Sequence, residues 1–521
     1  MDSTGLSHRG HNKHVLKPLR LRSRMLEHVT FPGVLLRLLT GPLVVYRYSI
    51  LRAYAIGYLS STTPRFISSL RQVLRKDLNY QQKREVLFRA LTSAIRLESL
   101  PTFCASLVGG STVFPFVILR LCELVNHKFG SKSGFLESAR FLRLVRLVCA
   151  FLSAWLSFQL LNKRPISLQG ADLESQDSAR DGNAKRQNAS KVATHTRPQL
   201  AGRTMDLTIF TFIRAVDLLA CITWSRWRRK RRAQGRWSWA ETMAPKLTDA
   251  GVFAGSAAIV MWAWFYLPER LPKSYERWIG EVAKVDTRLI EALRRARRGV
   301  FVYGKETGQA PLLQAMCQDY GWPIEWGDPS KTVPIPCEMV HMGCGPSCEK
   351  HAVSRFARTF KYACATYIPL QLAFRLQRLK TLLSFRRAVS DALRSSAFLA
   401  SFVSLFYYSV CLARTRIGPK VIPGEMVTPL MWDSGLCVGA GCLMCGWSVL
   451  VESPSKRQEL ALFVAPRAAA TVLPRFYEKK YQYRERIAFA ISSAILFTCL
   501  QERPRMVRGV FGRIATSVLK R

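Results

Sequence analysis

Acidic residues are scarce in this chain: 34 Asp and Glu stand against 78 Lys and Arg, a formal charge of +44 over 521 residues. Familiar catalytic signatures are missing too. There is no Gly-x-Ser-x-Gly, no His-Glu-x-x-His and no P-loop, which sets aside nucleophile-elbow hydrolysis, helix-borne zinc proteolysis and P-loop phosphoryl transfer. Sustained strand alternation is absent, leaving helices as the way to satisfy the backbone wherever water is excluded. A secretory signal is also lacking. Residues 1–32 are rich in Arg, Lys and His and hold no apolar core of the required length, so they read as a basic tail, either solvated and unfolded or organelle-targeting. The 14 cysteines are scattered, and Cys104, Cys149, Cys221, Cys364, Cys411, Cys442 and Cys445 lie inside apolar runs. That placement suits buried free thiols better than a disulfide framework.

What the chain has in quantity is apolar surface, with 49% hydrophobic and 11% aromatic residues. The runs 102–121, 207–223, 251–267, 397–413, 436–451 and 487–500 hold few charges, and the basic residues collect between them. A basic chain could bind nucleic acid through counterion release. Alternation of apolar runs with basic connections instead matches spans anchored at anionic headgroups, so lipid and not nucleic acid is the expected partner. Several runs reach the ~20 residues needed to cross ~30 Å of hydrocarbon only with polar flanks, whose long Arg and Lys side chains can snorkel.

The runs also repeat in order. Leu207-x-x-Phe210-x-x-x-Arg214-Ala215, preceded by Asp206, returns as Leu460-x-x-Phe463-x-x-x-Arg467-Ala468, preceded by Glu459. Arg89-Ala90 with Ala94 and Arg96 matches Arg387-Ala388 with Ala392 and Arg394. Ala154-Trp155 answers Gly446-Trp447, and Phe253-Ala254-x-Ser256 answers Phe489-Ala490-x-Ser492, with Pro268 and Pro504 at the same offset. Collinear matches are what duplication produces. The competing reading is a set of independent apolar helices of similar composition. The expected fold is therefore all-α: a multi-span helical membrane protein built from two tandem four- to five-helix repeats. Its parts are the basic tail 1–32, a first membrane repeat 33–270 with a disordered insertion at 162–203, a linker 271–336, and a second repeat 337–521 opening on a Cys/His segment. Four spans per repeat would leave the copies in one orientation, whereas five would invert them.

Three groups of residues are candidates for function. Cys337-x3-His341-x2-Cys344-x3-Cys348-x2-His351 places five donors in one short segment, and Cys337, His341, Cys348 and His351 could form a tetrahedral zinc site. No cofactor is expected, zinc at this segment being the one exception considered. The alternative is a turn feeding a helix, with Ser347 as its N-cap and the thiols reduced. Arg226, Trp227, Arg228, Arg229, Lys230, Arg231 and Arg232 follow an apolar run and read as a headgroup anchor. Arg214 and Arg467 sit inside apolar runs, where a charge costs at least ~2.5–3.5 kcal/mol. They either snorkel or face a polar seam between helices.

Pro336-Cys337-Glu338-Met339-Val340-His341, Pro346-Ser347-Cys348 and Tyr367-Ile368-Pro369-Leu370 resemble the cysteine-containing domain of the transmembrane protein 135 family. Arg394-Ser395-Ser396-Ala397-Phe398-Leu399 and the stretch from Glu452 to Arg467 are similar to fungal members. That family is distantly similar to four-helix proteins of mitochondrial preprotein translocases and peroxisomal membranes. The resemblance implies an integral peroxisomal or mitochondrial membrane protein linked to lipid metabolism and organelle dynamics, with no catalytic residues. The expectation is a non-enzymatic membrane factor supporting lipid or metabolite traffic or organelle dynamics, with a transporter or channel between the repeats as the alternative. Its partners would be anionic lipids, further copies of itself or other organellar membrane proteins.

Overall fold

Where the sequence carries apolar runs the chain forms helices, and among the described residues it forms no strand. The structure is a computed structural model and describes residues 31–75, 79–92, 95, 99–128, 138–162, 204–375, 381–422, 426–473 and 479–520. Nearly all of the basic tail and of the 162–203 insertion lies outside the described residues. In chain order the helices are α1 (Phe31–Arg75), α2 (Tyr80–Thr92), α3 (Leu100–Lys128), α4 (Ala139–Asn162), α5 (Thr204–Ala233) and α6 (Trp239–Tyr266). There follow α7 (Lys273–Ala283), α8 (Thr287–Arg297), α9 (Ala310–Tyr320), the single turn α10 (Cys337–His341), α11 (Cys348–Arg375) and α12 (Leu382–Cys411). The chain closes with α13 (Pro429–Val451), α14 (Pro454–Val472), α15 (Lys479–Glu502) and α16 (Gly509–Leu519).

Local chemistry sets several of these boundaries. The Glu241 carboxylate accepts the Ser238 N–H at 2.8 Å and so satisfies a donor at the start of α6. Thr381 accepts the Ser384 N–H at 3.3 Å to open α12, and Pro454 occupies the first turn of α14. The first part of the linker forms two helices, α7 and α8. Lys284 adopts a left-handed conformation (φ 48°) that ends α7, and Asp286 then caps α8 by accepting the Arg288 N–H at 2.9 Å.

Among the described residues, five helices are long and apolar enough to cross a membrane: α3, α4, α6, α12 extended to Arg416, and α13. Between 39% and 56% of each apolar window is buried within the fold. The remainder faces outward, which suits helices that meet both neighbours and hydrocarbon. The chain is thus compatible with an integral membrane protein.

The pairing of helices follows a pattern. In the first half α1 packs antiparallel on α3, with Ile50 against Gly109 and Gly57 against Pro101. α3 packs antiparallel on α4, where Ser106 Oγ donates to Ser157 Oγ at 3.0 Å. A Cβ on Gly110 would lie 2.4 Å from Ser153 Oγ, so this glycine permits the close approach. In the second half α11 is antiparallel to α12, with Arg375 on Asp391 at 2.7 Å, and α12 is antiparallel to α13. The last helices are exchanged. α15 packs on α4, with Phe158 and Phe489 centroids 4.9 Å apart, and runs parallel to α5. α6 packs on α13, where a Cβ on Gly446 would fall 2.4 Å from Ala254 Cα, and runs parallel to α14. α5 and α14 then meet antiparallel at the centre.

Candidate metal centre and buried charges

Cys337 opens α10 and His341 closes it. Met342 (φ 49°) and the turn through Gly343 and Gly345 reverse the chain, so that Cys348 begins α11 directly beside them. Ser347 Oγ accepts the Lys350 N–H at 3.2 Å, so the capped turn read from the sequence is present. The turn also serves a cluster. The fourth member is Cys411, the last residue of α12, and the ligand atoms of Cys337, His341, Cys348 and Cys411 all lie within 4.8 Å of one another. Cys348, His341 and Cys411 are buried and Cys337 is partly so.

This changes the expected ligand set. His351 is fully buried, but its ring lies flat on His341 (centroids 4.6 Å, 19°) and meets Tyr407 edge-on. Those two contacts hold it beside the cluster, outside the four converging atoms. Cys344 also stands apart, its Sγ contacting Arg358 Nη2 at 2.6 Å. Cys411 reads as one more buried thiol in an apolar run, and no spacing rule ties it to the Cys337 segment.

Three thiols and one imidazole form the donor set of a closed tetrahedral site, so the cluster could hold a metal ion. His341 Nδ1 lies 2.7 Å from the Gly345 carbonyl and Nε2 lies 3.5 Å from Cys411 Sγ. With the Nδ1 proton donated to Gly345, Nε2 is presented toward the other ligands. A hydrogen bond from Cys411 is the main influence lowering the Cys337 thiol below its ordinary value. Burial opposes it, and His341 contributes a second hydrogen bond. For His341, burial works downward and is outweighed by the hydrogen bonds to Cys337 and Gly345, leaving its imidazole raised. A ready thiolate at Cys337 is the protonation state a soft metal requires.

Beside the cluster lies a charged pair that the sequence reading does not reach. Arg414 donates bidentately to Asp433, Nε to Oδ1 at 2.6 Å and Nη2 to Oδ2 at 2.9 Å, with side-chain exposures of 4% and 3%. Tyr303 donates its hydroxyl to the same carboxylate and accepts the Ile335 N–H at 3.2 Å. Burial and the Asp433 charge push the Tyr303 phenol well above its ordinary value, keeping it a donor. Both charged residues sit on π-helical turns, 412–416 and 432–436, which rotate them toward each other.

Of the two repeated arginines, Arg467 pairs with an acid on the opposite central helix, and Arg214 donates to the Arg508 carbonyl at 3.4 Å. Arg467 Nη1 lies 3.1 Å from Asp206 Oδ2. Arg214, 7% exposed, sits between the rings of Phe210 and Phe511 at 5.2 and 5.6 Å, in the field of Glu459 and Asp217. Glu459 also accepts the Val510 N–H at 2.5 Å. The Arg214–Arg467 seam is thus crossed between α5 and α14. Because Arg214 is enclosed and donates to a carbonyl while the Arg467 pair is partly open, Arg214→Leu is expected to cost about 1.5–3 kcal/mol and Arg467→Leu about 1 kcal/mol or less. Melting of the detergent-solubilised variants checks this, and equal shifts would refute the difference in burial.

Arg226, Trp227, Arg228, Arg229, Lys230 and Arg232 are exposed on the far half of α5, while Arg231 is partly buried and pairs with Glu241 at 2.9 Å. Trp224, Trp227 and Trp237 cluster beneath them, with Arg232 over Trp237 at 5.0 Å. No family model matches the chain, and no curated protein or solved structure matches it either.

Proposed function

We propose that this chain is an integral membrane protein of two inverted five-helix units, supporting lipid or metabolite traffic in a peroxisomal or mitochondrial membrane without covalent catalysis. One observation carries the reading: Asp206 pairs with Arg467 while Glu459 faces Arg214, so equivalent acids and arginines cross between antiparallel α5 and α14. A two-fold axis in the membrane plane relates such copies. It also relates the exchanged α6 and α15, and the turns at Pro268 and Pro504 that lead into α7 and α16.

In this arrangement α1, α3, α4, α5 and α6 form the first unit, and α11 to α15 form the second in the opposite sense. Inverted units place a substrate path at their interface, which favours transport over a purely structural role. The organelle follows from the resemblance of residues 336–348 and 394–399 to the transmembrane protein 135 family. Anionic lipid is the expected partner of the exposed basic face of α5. Zinc is the metal assigned to Cys337, His341, Cys348 and Cys411, where it would bolt the inter-unit segment to α11 and α12.

Epitope tags in the loop joining α5 to α6 and in the loop joining α14 to α15 should be protected from protease on opposite faces of the membrane. Protection on the same face would overturn inversion. The tagged chain should also resist carbonate extraction and sediment with peroxisomal or mitochondrial markers, and residence at the plasma membrane would refute the organelle assignment.

A further inference from the structure

Two cavities meet at the end of α7. The larger, about 310 Å³, lies among α6, α7, α12 and α14 and is lined almost wholly by apolar side chains, including Phe253, Ala257, Trp264, Phe402 and Tyr407. That volume is at the lower end of the ~300–1,000 Å³ typical of small-molecule sites. Phe463 at its edge is 64% exposed and marks a mouth on the outer face of the helices. The smaller cavity, about 180 Å³, is polar. Lys284, Arg355 and Arg358 line it against a single carboxylate, Glu281.

Val282 lines both cavities, and Tyr407 of the larger and Arg355 of the smaller share one acceptor. Ala283 O accepts from Tyr407 OH at 3.0 Å and from Arg355 Nη1 at 3.3 Å. Arg355 is 5% exposed, and the partners its guanidinium finds are the carbonyls of Ala283 and Lys284, the Met342 sulfur and the Tyr407 ring at 4.5 Å. Its Nε is buried without a hydrogen-bond partner. A guanidinium enclosed among neutral acceptors, with an unused donor, is a strong site for an anion.

We propose that the two cavities form one site for a single-chain anionic amphiphile, its headgroup on Arg355 and Arg358 and its acyl chain in the apolar cavity. The chain enters sideways past Phe463, and the headgroup stays at the end of α7, where the inter-unit segment covers it. This deepens the lipid half of the proposed function and rests on it for the membrane setting. Binding in detergent can fail while the inverted topology holds, so the two readings fail separately.

The test uses the full chain in neutral detergent with radiolabelled oleate, lysophosphatidate and oleyl alcohol as probes. Saturable binding of oleate or lysophosphatidate is expected at about one per chain, weakened about tenfold or more by Arg355→Gln and by Ala257→Phe, which fills the apolar cavity. The better of the two anions identifies the headgroup as carboxylate or phosphate. Should Arg355→Gln fail to fold, Arg358→Gln replaces it, with the same direction of effect. Oleyl alcohol binding as tightly as both anions, binding unchanged in Ala257→Phe, or no saturable binding would each overturn the proposal.

Discussion

Purified protein is expected to carry about one zinc per chain, and Cys411→Ser to lose nearly all of it. The same loss is expected for Cys337→Ser, whereas His351→Phe and Cys344→Ser should keep the metal, because neither residue points a ligand atom into the cluster. The effect on the fold should be large and local. Structural zinc contributes about 10–16 kcal/mol to folding of isolated zinc fingers. Here a zinc ion would join α10, the start of α11 and the end of α12, so losing it frees the segment around residues 337–348 from the helices below. Limited proteolysis reads this as new cleavage there while the rest of the chain resists. Metal-free parent protein melting with Cys411→Ser would leave the turn capped by Ser347 as the whole explanation of the cluster.

The sequence made part of this legible. The helical class and the apolar runs follow from composition, and Cys337, His341 and Cys348 are visible because one short segment carries them. Cys411 is not, since it reaches the site only through the antiparallel return of α12 along α11. His351 misleads for a local reason: three residues after Cys348 it shares that face of α11, yet its ring is taken up by His341 and Tyr407. The seam shows a similar limit. Asp206 and Arg214 are too far apart to pair within α5, and likewise Glu459 and Arg467 within α14, so partners had to come from elsewhere. Which helix supplies them depends on α5 and α14 running antiparallel, a tertiary fact that no periodicity encodes. Helices α1, α5, α11, α14 and α15 are not among the five apolar ones, because charged residues lower their hydropathy.

Asp433→Leu alone is expected to destabilise the fold by about 3–5 kcal/mol, among the largest effects of any single change outside the metal centre. It strands the Arg414 guanidinium at 4% exposure, where Nη1 already has no hydrogen-bond partner, and removes the acceptor of Tyr303. Tyr303→Phe deletes one hydrogen bond and should cost only about 1 kcal/mol. The double variant Arg414→Met with Asp433→Leu removes both charges together, so most of the lost stability should return if the pair serves the fold alone. Melting in detergent measures stability, and complementation of a deletion strain measures function. A double variant that melts near the parent yet fails to complement would assign the pair a working role at the junction of α8, α12 and α13. Asp433→Leu melting with the parent would show that Arg414 finds another partner and that the buried pair does not hold these two π-helical turns together.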